Sequence, residues 1–218
     1  MLNFDFYNPT RILFGEGQIA SLSTLVPAGA RVMMLYGGGS IRQNGVYDEV
    51  MAALAGHTVT EFGGIEPNPS YETLMRAIEQ VKAEKIDFLL AVGGGSVIDG
   101  AKFVAAGALL DEDPWSIVDK RSANIVDALP FGTVLTLPAT GSEMNSGGVV
   151  TRKSTQEKRS FMSRKVFPQF SILDPATTFT LPVRQVGNGV VDAFAHTMEQ
   201  YLTYPVNAKV QDRFAEGL

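Results

Sequence analysis

"DFLLAVGGGSVIDGAK", residues 87–102, decides how this chain is read. The run Phe88 to Val92 has no polar position, which marks a strand buried on both faces, and three glycines end it abruptly. An earlier segment repeats the design: "RVMMLY" (31–36) runs into Gly37-Gly38-Gly39-Ser40. Helical patterns follow both turns, over 41–54 and 96–109, and "SYETLMRAIEQVKAEK" (70–85) places Leu74, Ile78 and Val81 on one face. Strands alternating with helices predict an α/β fold, a Rossmann-like parallel sheet with helices on both sides.

"VLTLPA" (134–139) and "FSILD" (170–174) supply further buried strands. Between them, residues 140–161 are polar and glycine-rich, and "GVVTRK" with "KRSF" predicts a small hairpin, a surface flap beside the sheet. After Leu181-Pro182 the pattern is helical with no further strand, so the domains expected are 1–180, an α/β dinucleotide-binding domain, and 181–218, the first helices of a helical one. Val210, Phe214 and Leu218 form an apolar stripe that reaches the last residue without a polar final turn, as expected of a fragment.

Composition narrows the function. The 218 residues are 45% hydrophobic and 19% charged, which suits a globular chain. With 23 acidic and 18 basic residues and a net charge of -5, there is no basic footprint for nucleic acid. Cysteine is absent, so disulfides and thiolate metal sites are excluded, and any metal must be held by nitrogen and oxygen. The opening residues lack a signal pattern and no run is long and apolar enough to span a bilayer, so a cytoplasmic protein without membrane contact is expected. "GSE" (141–143) lacks the glycines of a serine-hydrolase elbow.

Glycine turns after buried strands let backbone N–H groups converge on a phosphate at the positive end of a helix. Ser96 is placed to cap its helix, with Asp99 as the acidic member of a capping box. Neither turn matches Gly-x-Gly-x-x-Gly or a nucleotide triphosphate loop. Where many dinucleotide folds carry an acid for the adenine ribose, this chain has Gly37 to Ser40 with Arg42 close behind, which favours NADP(H) over NAD(H).

Four segments, "FGGIEPNPS" (62–70), "GGGSVIDGAK" (93–102), "LPATGSEMN" (137–145) and "VVDAFAHTMEQY" (190–201), resemble the iron-containing alcohol dehydrogenase family, in its NADPH-dependent aldehyde reductase and butanol dehydrogenase branch. The resemblance implies a dehydroquinate synthase-like cofactor domain followed by a helical metal domain, acting on a small alcohol or aldehyde. It implies that Gly93, Gly94, Gly95 and Ser96 hold the pyrophosphate, and that Gly37, Gly38, Gly39 and Ser40 meet the adenosine phosphate. Asp99 would lie near the nicotinamide end, Thr136 and Thr140 would touch the diphosphate or nicotinamide side, and Asn145 and Lys158 would lie near the nicotinamide ribose. Family members are commonly homo-oligomers, and "FDFYNPTRILFG" (4–15) offers a segment to pair with a neighbouring chain.

The family's divalent metal, Fe²⁺ or Zn²⁺, is implied to rest on an Asp and a His of one helix, matched by Asp192 and His196, and on two later histidines. No histidine follows His196, and the other one, His57, is expected at the surface, so the site is incomplete and this chain alone is expected to be inactive. Two alternatives stand beside the dehydrogenase reading: a non-catalytic NADP-binding fragment, and an enzyme like glycerol dehydrogenase or dehydroquinate synthase. Trp115, in "DEDPWSIV" (111–118), is expected in a loop away from the glycine turns.

Overall fold

The computed structural model describes residue 3 and residues 5–203 and 207–218. The strands are β1 (Arg11–Phe14), β2 (Arg31–Tyr36), β3 (Thr58–Phe62), β4 (Phe88–Gly94), β5 (Phe131–Leu137), β6 (Gly147–Arg152), β7 (Glu157–Met162) and β8 (Phe170–Leu173). Six of them form one sheet in the order β1-β8-β5-β4-β2-β3, every pair parallel, while β6 and β7 make an antiparallel hairpin.

Because side chains alternate along a strand, the sheet divides its apolar residues between two cores. Val32, Met34, Phe88, Leu90 and Val92 face α1 (Leu22–Leu25) and α2 (Val46–Ala53). Met33, Leu35, Leu89 and Ala91 face α3 (Tyr71–Ala83), α4 (Gly95–Gly107) and α5 (Ser116–Asp119). Leu74, Ile78 and Val81 of α3 are buried there as its periodicity predicts, and Ser70 caps that helix by accepting the Thr73 N–H at 3.3 Å.

Several expectations are corrected. The helix predicted over 41–54 is a 3-10 turn, Ser40–Arg42, and then α2, separated by Gly45 at φ 85, a left-handed conformation that breaks the helix. The hairpin is more than a surface flap: Val150 and Phe161 are buried, and Phe161 meets Phe103 of α4 edge-on at 5.7 Å. Trp115 lies in the turn that leads into α5, as expected, and its ring is buried there, 3% exposed and edge-on to Tyr71 at 5.5 Å. His57 is half-buried in the turn before β3, with its Nδ1 enclosed and unpartnered. The segment offered to a neighbouring chain supplies β1, which pairs in parallel with β8, Arg11 opposite Phe170, and stands at the edge of the sheet with its other side unpaired among the described residues; Phe4 lies outside the described residues.

The chain divides into two compact units, Met1–Phe179 and Thr180–Leu218. The second holds α6 (Val183–Thr203) and α7 (Lys209–Gly217), where the Tyr201 hydroxyl donates to Glu216 at 3.3 Å. Its apolar residues are largely exposed, Val183, Phe194, Phe214 and Leu218 among them. No helix among the described residues is long and apolar enough to cross a membrane.

One row across the sheet leaves no slack. Gly132 of β5 lies opposite Phe170 of β8, whose ring stacks on Phe88 of β4 with centroids 6.1 Å apart. A Cβ on Gly132 would fall 2.2 Å from Phe170 Cζ. Gly132→Ala is therefore expected to lower unfolding free energy by about 2 kcal/mol in urea titration, and Phe170→Leu in the same chain to restore part of it.

Candidate cofactor cleft

β2 and β4 are hydrogen-bonded neighbours with Tyr36 opposite Val92, so the glycine segments Gly37–Ser40 and Gly93–Ser96 leave the sheet side by side at its carboxyl edge. The second is not the expected turn but a direct strand-to-helix junction, with Gly94 ending β4 and Gly95 opening α4. β4 passes straight into α4, whose first turn receives no side-chain cap. Its N-terminal amides therefore remain available to an anion.

The capping-box reading of Ser96 and Asp99 is overturned. Ser96 Oγ accepts the Asn68 N–H at 3.2 Å, and Asp99 turns away to accept from the Ser142 hydroxyl at 2.6 Å and the Val149 N–H at 3.0 Å. Gly95 is crowded for a reason other than a turn: a Cβ there would lie 2.2 Å from Thr140 Oγ1, so the threonine would have to move. On the first turn, Gly39 has φ 96, and a Cβ on Gly38 would meet nothing within 4 Å, so the backbone there faces open space.

Next to α4 lies a cleft of about 830 Å³. Asp99, Thr140, Asn145 and Lys158, four of the residues predicted for the nicotinamide side, line it together with Ser142 and Val149. Thr136 stays on β5 outside that lining, as do both glycine turns. Lys158 donates to Asn68 Oδ1 at 2.6 Å, so Asn68 links the hairpin to Ser96 at the head of α4.

Beneath the cleft is a residue that sequence reasoning missed. Lys102 is fully buried, and its ammonium donates to Ser142 Oγ at 2.9 Å, Asn145 Oδ1 at 2.9 Å and the Gly147 carbonyl at 2.6 Å. All three of its donors are used, which is what a buried ammonium requires. Burial pulls its pKa down to about 8, against the attraction of Asp99 and Glu143. Burial likewise pushes the Asp99 carboxyl up, opposed by its hydrogen bonds from Ser142 and Val149 and by Lys102. Ser142 is thus a bridge between cation and anion, fastening the loop after β5 to α4 and the hairpin. The signal was present as a single lysine in the apolar helix, three residues after Asp99.

Arg42 is not a free cation beside the first turn. Its guanidinium pairs with Glu61 of β3 and lies over the Tyr47 ring, 4.0 Å from the centroid. A carboxylate does stand near the first turn, contributed by the adjacent strand, and it is already engaged by Arg42, Tyr36 and Tyr47.

Asp192 and His196 share a face of α6, with Oδ2 and Nε2 3.5 Å apart and both side chains exposed. That separation suits two neighbouring ligands each about 2.1 Å from a tetrahedral ion. Yet no group of three or more possible ligands exists among the described residues, and two donors leave an ion mostly hydrated. These residues do not by themselves fit a catalytic metal centre.

A parallel sheet with glycine segments converging at its carboxyl edge and a cleft alongside defines an α/β architecture of the doubly wound, nucleotide-binding kind. The chain belongs to the iron-containing alcohol dehydrogenase family, whose sequence model matches residues 9–175. It is 59% identical over 220 residues to the NADPH-dependent aldehyde reductase YqhD of Escherichia coli, and 52% identical over 221 residues to the probable NADH-dependent butanol dehydrogenase 1 of Bacillus subtilis. Each alignment covers 100% of this chain and 57% of the relative, so the chain spans little more than half their length. Among solved structures, Escherichia coli YqhD superposes with a TM-score of 0.94 at 58% identity, covering 99% of this chain and 56% of that one. The NADH-dependent butanol dehydrogenase A of Thermotoga maritima gives a TM-score of 0.91 at 43% identity, covering 99% and 55%.

Lys102→Met would remove the cation that offsets the Asp99 charge and one hydrogen bond each from Ser142 Oγ, Asn145 Oδ1 and the Gly147 carbonyl, and is expected to cost about 2 to 4 kcal/mol in urea unfolding at pH 7. Because the folded-state pKa of Lys102 lies below 10.5, at about 8, the unfolded chain binds more protons between those values. The stability advantage of wild type over Lys102→Met should therefore grow as pH is raised from 8 to 10.5.

Proposed function

We propose that this chain forms the cofactor-binding part of an oxidoreductase that interconverts a small aldehyde and its alcohol, with NADP(H) as the preferred dinucleotide. The observation that carries this reading is the adjacency of the two glycine turns at the head of an uncapped α4. Backbone amides of Gly94, Gly95 and Ser96 hold the pyrophosphate, where Thr140 closes the far side of Gly95 against any larger residue. Gly37, Gly38, Gly39 and Ser40 receive the adenosine end with its 2′-phosphate. Asp99, Thr136, Thr140, Asn145 and Lys158 serve the nicotinamide ribose and ring, with Asp99 and Asn145 held by the Lys102 and Ser142 network and Lys158 by Asn68.

The nicotinamide supplies or accepts the hydride when bound. This chain's residues orient it, with Asp99 and Lys158 contributing opposite charges to the cleft wall. The name of the NADPH-dependent aldehyde reductase relative supports the cofactor and substrate class, while the probable NADH-dependent relative makes the preference a matter of degree. One observation favours a second reading, cofactor binding without turnover by this chain itself: Asp192 and His196 are two donors where a catalytic ion needs more.

Titration calorimetry is the direct test. NADPH should bind the 218-residue chain more tightly than NADH. Gly95→Ala, which drives a methyl into Thr140, should weaken NADPH by about tenfold or more as the amide cradle is displaced. Absence of binding to either nucleotide, or tight binding by Gly95→Ala, would remove the reading.

A further inference from the structure

We infer that Glu61 determines how far this chain discriminates NADP(H) from NAD(H), by competing with a 2′-phosphate for Arg42. The inference rests on the cofactor reading above and adds to it a residue outside every glycine motif.

Arg42 closes the 3-10 turn built on the first glycine turn, its N–H donating to the Gly39 carbonyl at 3.0 Å. Its side chain is tied back rather than extended into solvent. One guanidinium nitrogen, Nη2, pairs with Glu61 and donates to the Tyr36 hydroxyl at 3.0 Å. Glu61 is itself fully engaged: Oε1 accepts from the Tyr47 hydroxyl at 2.7 Å, and Oε2 takes Arg42 and the Tyr36 hydroxyl at 3.2 Å. The cluster cannot drift from the turn, because Gly64 N–H donates to the Gly37 carbonyl at 2.9 Å and Ile65 N–H to the Tyr36 carbonyl at 3.1 Å. Side-chain exposures of 45% for Arg42 and 30% for Glu61 leave the pair open to a ligand arriving at the turn.

The electrostatic consequence is asymmetric. A ribose hydroxyl is neutral and feels little from a guanidinium already paired to a carboxylate. A 2′-phosphate is attracted by Arg42 and repelled by Glu61 next to it, so the carboxylate subtracts from the affinity of the phosphorylated dinucleotide alone. Glutamine at position 61 has the same size and keeps an acceptor for Tyr47, but it leaves the Arg42 charge uncompensated.

Calorimetry with NADPH and NADH on wild type, Glu61→Gln, Arg42→Gln, the double variant and Tyr47→Phe tests this. Glu61→Gln should tighten NADPH about fivefold while NADH moves by less than about twofold. The gain should be lost in the double variant, and Tyr47→Phe, which loosens the cluster without changing its charge, should leave the ratio near wild type. An unchanged or weakened NADPH affinity in a Glu61→Gln chain with wild-type circular dichroism would overturn the inference. So would an equal gain in Tyr47→Phe. Failure of wild type to bind either nucleotide would instead strike the cofactor reading itself, since that outcome involves no comparison between variants.

Discussion

The parallel pairing of β2 with β4 is the constraint on which the rest depends. Parallel neighbours end at the same edge, so two glycine turns 56 residues apart in sequence position, at Gly37 and Gly93, emerge next to each other. That pairing requires both strands to be apolar on both faces, and each face is covered by its own group of helices. A polar residue inside either strand would disturb the core and separate the turns at once.

Above that edge, a buried charge network adds to the apolar packing of Val150 and Phe161 in fastening the hairpin and the loop after β5. Lys102 and Asp99 leave α4 three residues apart and meet the loop after β5 through Ser142, while Asp99 also takes the amide of Val149 on the hairpin. A buried ammonium is tolerable only with every donor paired, so the network fixes the positions of Ser142, Asn145 and Gly147 together. A second charged cluster, Arg42 with Glu61 and two tyrosines, stands beside the other turn, and there the groups are part-exposed and open to exchange with a ligand. The two clusters differ in burial, and so in what they do: one sets a shape, the other tunes an affinity.

Much of the fold was legible because buried strands and α3 advertise themselves by period and composition. The β2 and β4 segments are near-continuous apolar runs, β5 and β8 are mainly apolar with Thr133, Thr136 and Ser171 among them, and α3 carries a clean helical stripe. The pairing of β1 was not legible, since "RILF" is a short, largely exposed edge strand whose partner, β8, lies far along the chain. The hairpin was found but its buried face was not, because Val150 and Phe161 sit among polar neighbours. Asp99 was located by its motif and given the wrong bonds: a capping box is a local rule, and Ser142 and Val149 outcompeted it from 43 and 50 residues away.

Local order along the chain therefore determined the element types, the parallel sheet and the glycine turns, since these follow from hydrophobic period and backbone freedom within short windows. Only the tertiary structure decided which charges meet. Lys102 with Ser142, Arg42 with Glu61, and Thr140 against Gly95 are contacts between segments whose separation carries no periodic signal. A buried or half-buried ion pair is chosen by what the fold brings within reach, and that choice exists once the strands have been ordered.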